Sequence, residues 1–143
     1  SDGQSYAQTG TGTVAIASNE LTVTNTTGDV YLILGSRTGS DMEGTHHFAL
    51  STSVMVEGLA LRYVNANNFY RLSASTTTLT ITKKSAGILS TLKTAAVALS
   101  TGTYYNLRFR VTGGSPGVPA LLEGRVWADG VVEPTNWTIT ASD

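Results

Sequence analysis

A chain of 143 residues with 41% hydrophobic and 13% charged residues, a net charge of −1 and no cysteine is long enough to bury a core of its own, and this composition excludes several classes. Disulfides and thiolate metal sites are ruled out by residue type. A nucleic-acid or anionic-membrane partner held by bulk charge finds no basic surplus, and no apolar run approaches the roughly 20 residues of a membrane-spanning helix.

Strand signals run the length of the chain. Thr13–Ala17 and Glu20–Thr24 are short β-branched runs separated by Ser18-Asn19. Val30–Leu34 is a continuous apolar run ended by Gly35, as a strand buried on both faces reads. Strands are then expected at His47–Leu50, Ser53–Tyr63 (interrupted by Gly58), Phe69–Ala74, Thr78–Lys83, Tyr104–Val111, Leu121–Ala128 and Trp137–Ala141. Turn signals separate them, among them Asn65–Asn68, Gly113–Gly117 and Asp129-Gly130. Short strands at this spacing predict an all-β, two-sheet antiparallel sandwich or a barrel. The best helix candidate, Ser90–Leu99, also alternates and is followed by Ser-Thr-Gly, so it reads as an extended segment entering a turn. The chain begins at Ser1 and stops at Asp143, directly after a strand-like segment; both ends read as cuts, and the expectation is one sandwich domain, 1–143, taken from a longer polypeptide.

Alternation assigns faces. Tyr105, Leu107, Phe109 and Val111 share one side, and Tyr104, Asn106, Arg108 and Arg110 the other. Leu122, Val126 and Ala128 point inward, with Glu123, Arg125 and Trp127 opposite; Leu59, Leu61 and Tyr63 point inward, with Arg62 opposite. The expected outer face therefore carries Arg62, Arg108, Arg110, Glu123, Arg125 and Trp127.

Catalytic patterns fail on context. Gly113-Gly-Ser115-Pro-Gly117 matches G-x-S-x-G by letter, but it reads as a turn between strands, where a nucleophile elbow needs a strand-to-helix turn. Gly10-Thr-Gly12-Thr-Val-Ala15 matches a dinucleotide fingerprint, yet no apolar strand is expected before it and Val-Ala-Ile is a poor helix start. His46-His47 would point to opposite faces of a strand and reads as a surface-loop pair at a strand entry, short of the ligand count zinc needs. Asp41 and Glu43, in a segment that reads as a solvated loop, loosely meet the carboxylate spacing of glycoside hydrolysis. A hydrolase on that pair is the least favoured hypothesis. A structural calcium stays open, with Asp2, Asp29, Asp41 and Asp143 as unranked candidates and no cofactor required.

Sugar binding needs aromatic rings against the apolar face of a pyranose, with amides and guanidiniums for its hydroxyls. Arg62, Tyr104, Arg108, Arg110, Arg125 and Trp127 are the candidate ligand-binding residues, with Trp137 and the Asn65–Asn68 loop able to contribute. The competing reading makes the tryptophans packing residues and the Arg/Glu pattern a cross-strand ladder of ion pairs. Asn25-Thr-Thr27 and Asn136-Trp-Thr138 are glycosylation sequons by letter.

Three segments together, Gly58–Leu72, Gly102–Val111 and Gly124–Trp137, resemble the concanavalin A-like lectin/glucanase superfamily in its laminin-G-like branch, as found in tail and fibre proteins of actinobacterial phages and in secreted bacterial glycan-active proteins. The resemblance covers residues 56–143 well and the first half weakly. It implies a jelly roll of two curved antiparallel sheets, acting as a glycan-binding or structural module; the acidic catalytic strand of the glucanases is absent. The leading expectation is a non-enzymatic structural or adhesion module of a phage tail or fibre, located in the virion, partnered by other virion proteins or by a cell-surface polysaccharide, and trimeric. The alternative is a carbohydrate-binding module of a secreted bacterial enzyme. No nucleic-acid or membrane partner is expected in either case.

Overall fold

A computed structural model describes residues 6–11, 13–17, 20–24, 31–34 and 40–143 of the chain. The expected calcium candidates Asp2 and Asp29, the sequon at Asn25 and the turn at Ser18-Asn19 lie outside the described residues. The chain divides into two compact units, Ser1–Thr38 and Gly39–Asp143.

In the first unit β1 (Tyr6–Thr9) pairs antiparallel with β4 (Tyr31–Leu34), and β2 (Thr13–Ala17) with β3 (Glu20–Thr24). β1 carries no apolar alternation and was not expected. It places a strand before Gly10, but the next element is a second strand where the dinucleotide fold needs a helix.

The second unit is a β-sandwich of two four-stranded antiparallel sheets. Its strands are β5 (Met42–Ala49), β6 (Glu57–Asn65), β7 (Asn68–Ala74), β8 (Thr78–Ser85), β9 (Ile88–Ala96), β10 (Tyr104–Gly113), β11 (Ala120–Ala128) and β12 (Ile139–Ser142). One sheet has the order β12-β11-β10-β5, the other β6-β7-β8-β9. Each inner face contributes alternate residues to the core. Phe48, Leu107, Phe109, Val111, Leu122 and Ile139 come from the first sheet, and Leu61, Leu72, Ala74, Leu79 and Ile81 from the second. The alternation expected for Tyr104–Val111 and for the β11 strand is what the structure shows: Leu107, Phe109, Val111 and Leu122 are fully buried.

Two close approaches set the spacing between and within the sheets. A Cβ at Gly58, on β6, would lie 2.4 Å from the Leu72 carbonyl oxygen on β7, and one at Gly124, on β11, 2.5 Å from a Leu72 methyl. Gly58, which reads as an interruption of its strand, is thus inside the strand because nothing larger fits.

Three expectations are corrected. Met42–Gly44 is strand, not loop: Glu43 pairs opposite Arg110, and Gly44 packs beneath the Leu59 side chain. His46 and His47 are consequently mid-strand, not surface-loop residues. His46 turns inward, stacked 5.5 Å from Phe48, while His47 turns outward. Ile88–Ala96 is a full strand paired with β8, and its own Leu92 is bulged between the Ile81–Lys93 and Thr82–Thr91 pairs, which breaks the period-2 pattern that would have identified it.

Candidate functional site

The outer face of the β12-β11-β10-β5 sheet is built by register. Asn106 lies between His47 on β5 and Trp127 on β11, Arg108 between Thr45 and Arg125, and Arg110 between Glu43 and Glu123. Five of the six residues expected to bind ligand, Tyr104, Arg108, Arg110, Arg125 and Trp127, therefore share this face. Arg62 does not. It lies on β6 of the other sheet, in an irregular stretch between Leu61 and Asn65, with a left-handed φ of 50°. Its guanidinium donates to the carbonyls of Ser40 and, at 2.7 Å, Gly113. Plain alternation fails there because the bulge re-aims the side chain.

The centre of the face is an ion-paired lattice. Arg108 donates to Glu43 at 2.6 Å and to Glu133 at 3.0 Å, with a second contact of 2.7 Å between its Nε and Glu133. Glu133 also lies 2.5 Å from Arg125, which in turn donates to the carbonyls of Pro134 and Thr135. Arg110 gives two hydrogen bonds to one oxygen of Glu123, a carboxylate only 8% exposed. The Trp137 ring lies 4.7 Å from the Arg110 guanidinium and 4.3 Å from that of Arg125, within cation–π range. The segment between β11 and β12 thus folds back across the face, and the guanidiniums serve as its fasteners. Three guanidiniums, Arg108, Arg110 and Arg125, meet three carboxylates, Glu43, Glu123 and Glu133, so this part of the face carries no net charge.

At the Tyr104 end the face opens. Tyr104, 40% exposed, holds its ring parallel to that of His47 at 5.0 Å. The Asn106 amide donates to Asp129 at 3.3 Å, and His47 Nε2 lies 3.6 Å from the same carboxylate. The Asp129 backbone N–H is fixed on the Tyr104 carbonyl at 2.9 Å. An exposed aromatic pair, an amide and a half-exposed carboxylate are the groups that hold a sugar ring, with stacking for its C–H face and hydrogen bonds for its hydroxyls.

His47, Asn106, Asp129 and Glu133 were not singled out as ligand residues from sequence. The alternation of β10 already turns Asn106 outward, but His47 needs the β5 register, and Glu133 needs the path of an irregular segment that no periodicity encodes. The other acids are engaged elsewhere: Asp41 accepts from the Gly113 backbone N–H at 2.9 Å, and Asp143 from Tyr70 at 2.6 Å. Among the described residues, no three His, Cys, Asp or Glu side chains gather as a metal site would require.

No family model matches the chain, and no curated protein matches its sequence. Among solved structures it is similar to the carbohydrate-binding module CBM66 from Bacillus subtilis, with a TM-score of 0.71 and 17% identity, over 99% of this chain and 80% of that one. That likeness is one of fold, a β-sandwich.

Proposed function

We propose that the chain is a non-catalytic glycan-binding module that takes its ligand at the Tyr104 end of the β12-β11-β10-β5 face. The carrying observation is the exposed Tyr104 ring, held parallel to His47 beside the Asn106 amide and the Asp129 carboxylate. Trp127 extends the platform one strand further, and the neutral Arg/Glu lattice beside it supplies preorganised donors and acceptors without favouring a charged ligand. Preorganisation lowers the ordering cost of binding a flexible saccharide.

Of the two carriers expected from sequence, the likeness to a bacterial carbohydrate-binding module favours a secreted glycan-active protein over a phage tail. A monomer by light scattering fits that choice, whereas a stable trimer would favour the tail fibre. The binding test is a glycan array followed by titration of the best saccharide. Tyr104→Ala should weaken binding about tenfold, the equivalent of one lost stacking contact, with Lys93→Ala, on the other sheet, unchanged. Failure of the chain to bind any cell-wall or plant glycan at millimolar concentration would overturn the reading.

A further inference from the structure

The outer face of the β12-β11-β10-β5 sheet has one charge left over. Arg108, Arg110 and Arg125 are matched by the carboxylates of Glu43, Glu123 and Glu133. Asp129 is a fourth carboxylate, and among the described residues no guanidinium or ammonium pairs with it. Its side-chain neighbours are the Asn106 amide at 3.3 Å and His47 Nε2 at 3.6 Å. Both approach the same oxygen, Oδ1. The side chain is 59% exposed, so its second oxygen can meet a ligand.

The backbone fixes where this charge stands. Asp129 follows directly on β11, and its N–H bonds the Tyr104 carbonyl at 2.9 Å. The Val131 N–H closes the turn onto the Ala128 carbonyl at 3.2 Å, with Gly130 in the left-handed region at a φ of 75°. Carrying the register one pair beyond Tyr105–Ala128 sets Asp129 opposite Tyr104, so the two side chains leave the sheet on the same side. The neighbour of the unmatched carboxylate is therefore an exposed aromatic ring, stacked on His47. A carboxylate attracts a cation by charge, and the face of a tyrosine ring attracts it by its quadrupole. A neutral hydroxyl gains only the hydrogen bond.

We propose, granted glycan binding at the Tyr104 end, that the site selects saccharides bearing a free ammonium group, as a hexosamine without its N-acetyl group does. The ammonium donates to Asp129 Oδ2 in a charge-assisted hydrogen bond, within reach of the Tyr104 ring. N-acetylation removes the charge and with it both attractions.

The test is titration calorimetry of the full chain with two probes: chitotetraose, whose amines are free, and its fully N-acetylated counterpart. The buffer is dilute in salt and acidic enough to keep the amines protonated. The free-amine probe should bind about fivefold tighter, the worth of one exposed ion pair with one exposed cation–π contact, and strong salt should shrink that advantage. Asp129→Asn should bring the ratio of the two affinities to one, whatever it does to either affinity alone. Asp41→Asn, the same change at the opposite end of the sheet, should leave the ratio as it is in the natural chain. Equal affinities in the natural chain, or a ratio that survives Asp129→Asn, would overturn the proposal and leave glycan binding standing. If neither probe binds, the proposal also fails; a neutral saccharide that binds elsewhere on the array then keeps the glycan-binding function, and none at all removes both.

Discussion

The carboxylate of Glu133 lies 2.5 Å from the guanidinium of Arg125, although the turn at Asp129-Gly130 and an irregular stretch separate the two residues along the chain. The same carboxylate reaches Arg108 on the neighbouring strand. A segment without regular structure is thereby tied to the sheet at two points by one side chain. Glu133→Gln, which keeps the shape and removes the charge, should cost about 1–2 kcal/mol, the loss expected when hydrogen bonds to charged groups become neutral at a partly exposed site. Chemical denaturation reads this directly. Glu43→Gln should cost less, because Arg108 keeps its Glu133 contacts.

The close approaches at Leu72 predict a coupling. A Cβ at Gly124 meets the Leu72 methyls at 2.5 and 2.8 Å, whereas a Cβ at Gly58 meets the Leu72 carbonyl oxygen at 2.4 Å. Gly124→Ala should destabilise by about 1–3 kcal/mol as an overpacked core does, and part of that cost should vanish in a Leu72→Val background. Gly58→Ala should show no such rescue, since a backbone atom cannot be trimmed. A double-mutant cycle measured by thermal unfolding separates the two.

Much of this was legible in the sequence, and the reasons are local. Tyr104–Val111 alternates strictly, and the residues of β11 from Leu122 to Ala128 follow it pair by pair, so their inner and outer residues could be named from period 2 alone. Arg62 could not be placed, because an irregular pairing after Leu61 takes the chain out of phase. β9 was hidden by a bulge of its own at Leu92, and the start of β5 by the turn-like composition of Gly39–Gly44, where Gly44 is in fact a packing residue under Leu59. On the site, the guanidiniums of the face followed from alternation, but their partners Glu133 and Trp137 arrive on an irregular segment whose course depends on the very contacts it makes.

The Tyr70–Asp143–Lys83 cluster predicts pH dependence at both extremes. Hydrogen bonds from Lys83 and Tyr70 hold the Asp143 carboxyl below its usual 3.8. A depressed carboxylate contributes stability above its unfolded value, and that stability is lost as pH falls below about 4. Burial, then the hydrogen bond to Asp143, pushes the Tyr70 hydroxyl up from 10.0 to about 12. A raised group contributes stability below its unfolded value and loses it as pH climbs through the folded one, here between pH 10.0 and about 12. Denaturation midpoints of the natural chain should therefore fall more steeply over that alkaline window than those of Tyr70→Phe, while Asp143→Asn should flatten the acid limb.

The stack of His47 on Tyr104 can be tested through binding. His47→Ala leaves Tyr104 in place but removes the ring that holds it parallel, so saccharide affinity should fall by a few-fold, less than for Tyr104→Ala, as a lost aromatic pair of about 0.5–1.5 kcal/mol requires. Titration calorimetry of the two variants side by side orders them; an unchanged affinity in His47→Ala would make the stack incidental to binding.

Both tryptophans of the chain belong to the same face. Trp127 projects from it beside Asn106, and Trp137 rests against the guanidiniums of Arg110 and Arg125. The intrinsic indole fluorescence of this protein is accordingly a spectroscopic label already installed at one surface. A saccharide settling beside Trp127, or a loosening of the segment that carries Trp137, changes the emission. Steady-state fluorescence of the unmodified chain can therefore report on this one surface in a single cuvette.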